Sequence, residues 1–325
     1  MRTSERTPAT PDDRKPVDEA FAARPSGFRG FAARRPIAAM LVMLFSIAYP
    51  LLIVLALVQH QVIPGRGLVD ALPVPVDEVA GLALTVCALL PSALYVTWAA
   101  EGRAGLRRLA GRVFRWRFGL GWWVFILTAL PVLTLVSGLL LGDTFRPVDP
   151  VTFLRSQLWQ LLVQVFLVNL WEETAWAGVM QTRLERRHHL FVAAIITAVP
   201  FGFVHWPLVL LGDVTPLALA VSLPGFILLG VLMRPLAAMT MRGARNSVFA
   251  FALVHSMFNR TNNPGGIVDS LLDGENLYQV GILIVLVVLN LVVAVIMRGK
   301  LAPSYRLQLE ALEDQASRQH DQARS

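Results

Sequence analysis

Two adjacent glutamates, Glu172 and Glu173, lie in a stretch from about 156 to 182 that is otherwise mostly apolar and long enough to cross a bilayer. An ionisable side chain at that depth is costly to insert, so its presence predicts a functional role. Two carboxyl groups side by side are suited to accepting and passing on protons. The pair therefore indicates a reaction site or a proton pathway inside a membrane.

Two histidines lie in later apolar stretches, and each has a partner four residues away. Phe201 precedes His205, and His255 precedes Asn259, so each pair shares one face of a helix. A carboxylate beside a water and a histidine can activate that water, and N–H donors from histidine or asparagine can stabilise an oxyanion. We therefore expect Glu172, His205 and His255 to meet at one depth and to hydrolyse an acyl bond without a covalent nucleophile.

The composition places this site in an integral membrane protein. Of the 325 residues, 55% are hydrophobic and 16% are charged, with a mean hydropathy of +0.57, whereas soluble domains are about 45–50% apolar and 25% charged. The net charge of +7 comes from basic residues between the apolar stretches, a distribution that indicates membrane topology and not nucleic-acid binding. The single cysteine, Cys87, excludes an intrachain disulfide and a cysteine-ligated metal site.

The apolar stretches predict an all-α, polytopic membrane protein with about eight transmembrane helices around a conical polar site at mid-membrane. A crossing takes roughly 17–25 residues. The predicted spans are 37–58, 79–98, 119–141, 157–182, 190–211, 216–233, 247–262 and 278–297.

Basic residues predict the orientation of these spans. With both termini cytoplasmic, the segments assigned to the inner side hold 25 of the 29 Lys and Arg residues, as expected from the preference of these residues for the cytoplasmic side. We thus predict a multi-pass protein of the cytoplasmic membrane. It has a disordered cytoplasmic tail over 1–36, a transmembrane domain over 37–298 and a cytoplasmic carboxyl-terminal tail over 299–325.

The ordered set of Glu172-Glu173, Phe201 to His205 and His255 to Asn259 resembles the CPBP family of CAAX prenyl proteases and bacteriocin-processing enzymes. The resemblance covers roughly 150–297, which would be the protease core. It implies that Glu172 and His205 activate water, that His255 and Asn259 form the oxyanion site, and that Glu173 supports them. It further implies an intramembrane glutamate-type endopeptidase that needs no cofactor and acts on a membrane-associated peptide or protein within the lipid bilayer.

The chain departs from the family pattern EExxxR, because Ala177 stands where the arginine is expected. None of the predicted spans contains a Lys or Arg well inside it that could pair with the two glutamates. We therefore expect one glutamate to be protonated, since two neighbouring carboxylates in a low dielectric do not both ionise cheaply. Arg183 is too close to the cytoplasmic side to take the place of the missing arginine.

Two alternatives use the same residues differently. In one, Glu172, His205 and His255 bind zinc, since imidazole and carboxylate are common zinc ligands with water in the fourth position. In the other, the protein is not an enzyme but an immunity protein, a scaffold or a proton-linked transporter, a reading that the alanine at 177 favours. The substrate, its cleavage motif and the oligomeric state are left open by the sequence.

Overall fold

The computed structural model describes residues 26–71 and 76–322, and these residues are almost entirely helical. Three helices continue through π-helical segments at Leu84–Leu89, Gln164–Asn169 and Trp176–Gln181, and short 3₁₀ turns span Trp206–Leu211 and Arg298–Lys300. The α-helices in chain order are α1 Gly27–Arg34, α2 Pro36–Gln59, α3 Arg66–Asp70, α4 Val76–Ala83, α5 Leu90–Val113, α6 Leu120–Leu141, α7 Pro150–Val163, α8 Leu170–Ala175, α9 Thr182–Leu184, α10 Leu190–His205, α11 Pro216–Gly243, α12 Val248–Asn262, α13 Ile267–Leu271, α14 Tyr278–Ile296 and α15 Pro303–Gln322.

Seven helical stretches in these residues are long and apolar enough to cross a membrane, which confirms the all-α polytopic fold. The predicted number of eight is not confirmed. The predicted span over 247–262 forms α12, whose 15 residues extend about 22 Å at 1.5 Å per residue, less than the roughly 30 Å of a hydrocarbon core.

The short helix α12 lies at the centre of the molecule. Twelve of its 15 residues are buried, and it packs against α6, α8 and α11. The outer helices expose large apolar side chains instead, among them Leu140 on α6 and Ile296 on α14. This arrangement fits a bundle with lipid outside and protein around α12, because exposed apolar surface of this extent is stable only against another apolar phase.

Two segments predicted as inner loops are helical. The second span continues through residues 99–113 as the end of α5, with a kink at Gly102, where φ is +63°. The sixth continues through residues 234–243 as the end of α11. The basic residues that marked these segments as loops are accommodated within helices because several of their guanidinium groups are paired inside the protein, as for Arg112 and Arg234.

Both predicted tails contain helices. Within 1–36, residues Gly27–Arg34 form α1, which packs against α2 and α5, so disorder is the wrong prediction for these eight residues. Residues 1–25 lie outside the described part. The tail predicted over 299–325 contains α15, and Arg306 in its first turn is fully buried.

The helices α10 and α11 approach each other closely at two glycines. A Cβ atom on Gly202 would come within 2.5 Å of the Ile227 side chain, and one on Gly230 would come within 3.1 Å of Ala198. Small residues allow this approach in membrane helices, where close packing is the main attraction. The contact fixes α10, which carries His205, against α11.

A carboxylate links the connections at one end of the bundle. The two-residue strands β1 Thr144–Phe145 and β2 Leu272–Asp273 pair in antiparallel fashion. Beside them, the buried Asp143 accepts hydrogen bonds from the backbone N–H groups of Leu277 and Tyr278, at 3.2 and 2.9 Å. Asp143 thus caps the first turn of α14, whose N–H groups have no partners within the helix.

Replacing Asp143 with alanine is expected to lower the free energy of unfolding by about 1–2 kcal/mol, the usual effect of losing a helix cap. Asp143→Asn keeps an acceptor and is expected to lose less. Reversible unfolding in detergent micelles measures both. Asp213→Ala at an exposed position is the control, and an Asp143→Ala protein as stable as this control would contradict the capping role.

Candidate active site

The two adjacent glutamates lie on α8, a helix of six residues with π-helical segments on both sides. Such segments within α-helices are frequent at functional sites. Consecutive residues of an α-helix point about 100° apart, so the two carboxylates face different neighbours. Glu172 faces His205 on α10, and Glu173 faces His255 on α12 and Arg234 on α11.

Glu172 is 5% exposed, and its Oε1 atom lies 3.4 Å from Nε2 of His205. The geometry is not that of a hydrogen bond, and Oε1 accepts none from the described residues. A buried carboxylate oxygen without a hydrogen bond is energetically unfavourable. Oε1 of Glu172 can therefore accept a hydrogen bond from a water molecule or a substrate.

The hydrogen bond at the other ring nitrogen fixes the tautomer of His205. Its Nδ1 lies 2.7 Å from the carbonyl oxygen of Phe201, which can only accept, so Nδ1 carries a proton. In the neutral ring, Nε2 is therefore an acceptor that faces a second acceptor, Oε1 of Glu172. The pair is favourable when it shares a proton or when a water molecule donates to both atoms.

The second histidine is held in the corresponding way by the second glutamate. Nδ1 of His255 lies 2.7 Å from Oε1 of Glu173, and both side chains are buried. Because the carboxylate is also paired with a guanidinium, it accepts, and Nδ1 of His255 donates. A carboxylate at Nδ1 orients the ring and stabilises the imidazolium form, whose Nε2 is a donor.

The arginine expected beside Glu173 comes from a different helix. Arg234 on α11 is fully buried, and its two terminal nitrogens lie 3.4 and 3.3 Å from the two carboxylate oxygens of Glu173. The prediction that no basic residue inside the spans could reach the glutamates was therefore wrong. The argument that either Glu172 or Glu173 must be protonated for lack of a cation is therefore no longer valid.

The sequence contained a pattern from which Arg234 could have been predicted as a site residue. It is the one charged residue in a mostly apolar run from 226 to 241, but the boundary of the sixth span was set just before it. The alanine at 177 is also fully buried. Arg234 contacts both Glu173 and Gln181, which lie on either side of Ala177 along the chain, so a small side chain there is compatible with the guanidinium.

An aromatic ring joins these groups. Phe201 has its ring centroid 4.3 Å from that of His205 and 6.1 Å from that of His255, and the guanidinium carbon of Arg234 lies 5.4 Å from the same centroid. Trp176 packs on it at 5.9 Å. Phe201 thus lies against both histidines and contributes a cation–π contact to Arg234.

Of the five predicted site residues, four are brought together: Glu172, Glu173, His205 and His255. Asn259 is half-buried one turn beyond His255 on α12, and no hydrogen bond joins its side chain to these four in the described part of the chain.

The carbonyl of Phe203, which Pro207 deprives of its helical partner, accepts from the Tyr49 hydroxyl at 2.9 Å. That carbonyl is therefore bound within the protein.

In residues 26–71 and 76–322, no group of three or more His, Cys, Asp or Glu side chains is arranged to hold a metal ion. Both Nδ1 atoms are engaged, so ligation by His205 and His255 would fall to their Nε2 atoms together with Glu172. The zinc alternative therefore has no ready-made ligand group in this part of the chain, and a chelator distinguishes it from the metal-free alternative.

Residues 154–261 match the profile of the family described as type II CAAX prenyl endopeptidase Rce1-like. The matched region is about a third of the chain and is narrower than the predicted resemblance over 150–297. It includes all five predicted site residues as well as Arg234. A comparison with curated proteins gave no match. The match confirms that residues 154–261 resemble the CAAX prenyl proteases, as the motifs predicted.

Proposed function

We propose that this protein is a glutamate-type intramembrane endopeptidase that cleaves a membrane-associated peptide or protein. The observation that carries the proposal is the contact between the buried Glu172 carboxylate and His205, with Oε1 unpartnered and Nε2 facing it at 3.4 Å. A water molecule held by these two acceptors has both of its protons engaged and a lone pair free, which is the arrangement that a nucleophilic water needs.

In the proposed reaction, Glu172 accepts a proton from the water as its oxygen attacks the carbonyl carbon of the scissile peptide bond. The C–O bond forms, and the carbonyl oxygen becomes an oxyanion. Nε2 of protonated His255 and the amide of Asn259 donate to that oxyanion. The C–N bond then breaks, and Glu172 returns the proton to the leaving amine nitrogen, so the carboxylate is regenerated.

Glu173 and Arg234 support this reaction without contacting the substrate. Glu173 accepts from Nδ1 of His255 and so favours the imidazolium that stabilises the oxyanion. Arg234 keeps Glu173 ionised and oriented, the role that the resemblance assigns to an arginine four residues after Glu173. Two carboxylates and one guanidinium leave the site with one net negative charge when both histidines are neutral.

Glu172→Gln and His205→Gln are expected to lower kcat for cleavage of a membrane-anchored peptide by at least about 100-fold, since general-base catalysis contributes roughly 10²–10⁴. Purified protein in nanodiscs with a membrane-anchored peptide library measures this. Glu275→Gln, at an exposed position, is the matched control.

A chelator separates the metal-free mechanism from zinc catalysis. Full cleavage in the presence of chelator is expected. Loss of cleavage with chelator, together with stoichiometric zinc, would move the mechanism to the metal alternative. Folded wild-type protein that cleaves nothing in the library, at the same level as Glu172→Gln, would contradict the protease proposal and favour an immunity, scaffold or transport role.

Arg234→Met is expected to lower kcat and to destabilise the fold, because removing one partner of a buried ion pair costs about 3–5 kcal/mol. Adding Ala177→Arg to this variant puts an arginine where the family pattern has it, in space vacated by the guanidinium. We expect the double variant to regain part of both stability and kcat. Ala177→Arg alone is the control and is expected to be unstable, since it buries a second guanidinium beside Glu173.

We propose further that both termini are cytoplasmic, which requires the short, buried α12 to act as an eighth crossing in addition to the seven long apolar helices. With the buried Arg234 removed from the inner segments, these segments still hold 24 of the 29 Lys and Arg residues. In a Cys87→Ser background, a membrane-impermeant maleimide applied to intact cells is expected to label Glu275→Cys and to label Lys300→Cys only after permeabilisation. The opposite pattern would reverse the orientation.

A further inference from the structure

A line of buried polar groups continues from Glu173 away from the proposed reacting atoms. Nε of Arg234 donates to Oε1 of Gln181 at 3.2 Å, and Nε2 of Gln181 donates to Oε1 of Glu185 at 3.1 Å. All four of these side chains are fully buried. Glu173, Gln181 and Glu185 follow one another along the helical stretch that runs from α8 to just past α9. The polar groups therefore extend from the proposed active site toward the end of that stretch.

The far end of this line lies against the carboxyl-terminal helix α15. Oε2 of Glu185 accepts a hydrogen bond from Nη2 of Arg242 at 2.9 Å. The same oxygen forms an ion pair with Nε of Arg306 at 3.3 Å. Arg306 also donates to Oδ1 of Asn246 at 2.5 Å and to the Thr182 hydroxyl at 3.0 Å. A residue of α15 is therefore part of the same buried network as Glu173.

Gln181 is the member of the line that can bridge its two sides. Arginine side chains only donate and ionised carboxylates only accept, whereas an amide does both. The amide oxygen must face Arg234 and the amide nitrogen must face Glu185, so its orientation is fixed. A leucine or a glutamate at 181 would leave at least one of these buried groups without its partner.

The far end of the line carries an excess of positive charge. Glu185 is paired with Arg242 and Arg306, and the buried Arg112 shares the side-chain oxygens of Asn246 and Thr182 with Arg306. A buried carboxylate is stable when cations compensate it. Loss of the Arg306 charge would leave Arg242 as the one guanidinium paired with Glu185 in the described part of the chain.

We propose that Arg306 is a positioning residue for the candidate active site and acts on Glu173 through Glu185, Gln181 and Arg234. The carboxyl-terminal helix then has a part in catalysis, because its docking sets the orientation of the carboxylate that holds His255. This inference rests on the proposed function for its kinetic consequences, and on the ion pair of Arg306 with Glu185 and the hydrogen bonds of the line for its structural ones.

The kinetic test compares Arg306→Gln with Arg306→Lys in full-length protein in nanodiscs. Arg306→Gln is expected to lower kcat about tenfold, within the range of coupled sites, with KM changed less than about twofold. Arg306→Lys keeps the charge and is expected to restore part of kcat. Glu310→Gln is the matched control, since it weakens the α15 contact with Arg186 and removes none of the hydrogen bonds of the line. Equal losses in Glu310→Gln and Arg306→Gln would overturn the proposal, because loosening of α15 would explain both.

A second variant tests the line if Arg306→Gln folds poorly. Gln181→Leu interrupts the line and leaves the contacts of α15 with Asn246 and Thr182 in place. The double variant with Arg306→Gln is expected to match the more impaired single variant, because the two changes break one path. Additive losses in kcat would overturn the proposal.

A nuclear magnetic resonance measurement separates this inference from the proposed function. The Nδ1–H resonance of His255, in protein labelled at histidine, reports its hydrogen bond to Glu173 whether or not any peptide is cleaved. It is expected to shift in Arg306→Gln and Gln181→Leu and to stay unchanged in Glu310→Gln. An unchanged resonance in the first two variants would overturn the positioning role even if wild-type protein is an active protease.

Discussion

The ion pair between Glu173 and Arg234 is the interaction on which the arrangement of the site depends. Both groups are fully buried, so neither is stable at its position without the other. The guanidinium binds both carboxylate oxygens, and this leaves Glu173 in a fixed orientation with Oε1 directed at Nδ1 of His255. The pair thereby joins α8, α11 and α12 at one depth in the bundle.

Much of the site could be predicted from the sequence because charged groups in apolar segments are rare enough to be informative singly. The glutamate pair and the two histidines were identified in this way, and the structure brings these four side chains together. Asn259 was predicted from its spacing from His255 and from the family resemblance, and neither shows which groups meet across helices. No hydrogen bond joins its amide to the other four in the described residues.

Arg234 shows why a rule for finding spans fails at a functional site. A charged residue usually marks the end of a membrane segment, so the sixth span was ended before it and the residue was counted among the inner cations. The helix in fact continues to Gly243, because the charge is neutralised inside the protein by Glu173 and contacts the rings of Phe201 and Phe251. The partner lies 61 residues away, a separation at which local patterns carry no information.

Moving the arginine from the helix of Glu173 to another helix changes what the ion pair does. An arginine at position 177 would pair with Glu173 within one helical stretch. That pair would form regardless of how the other helices of the bundle are packed. Arg234 can pair with Glu173 only when its side chain extends from α11 to α8, and the close approach of α10 and α11 at Gly202 places His205 in the same assembly. The charged pair and the two histidines therefore depend on the same packing of helices. The alanine at 177 is on this account compatible with a complete site, since its small side chain leaves room for a cation supplied by α11.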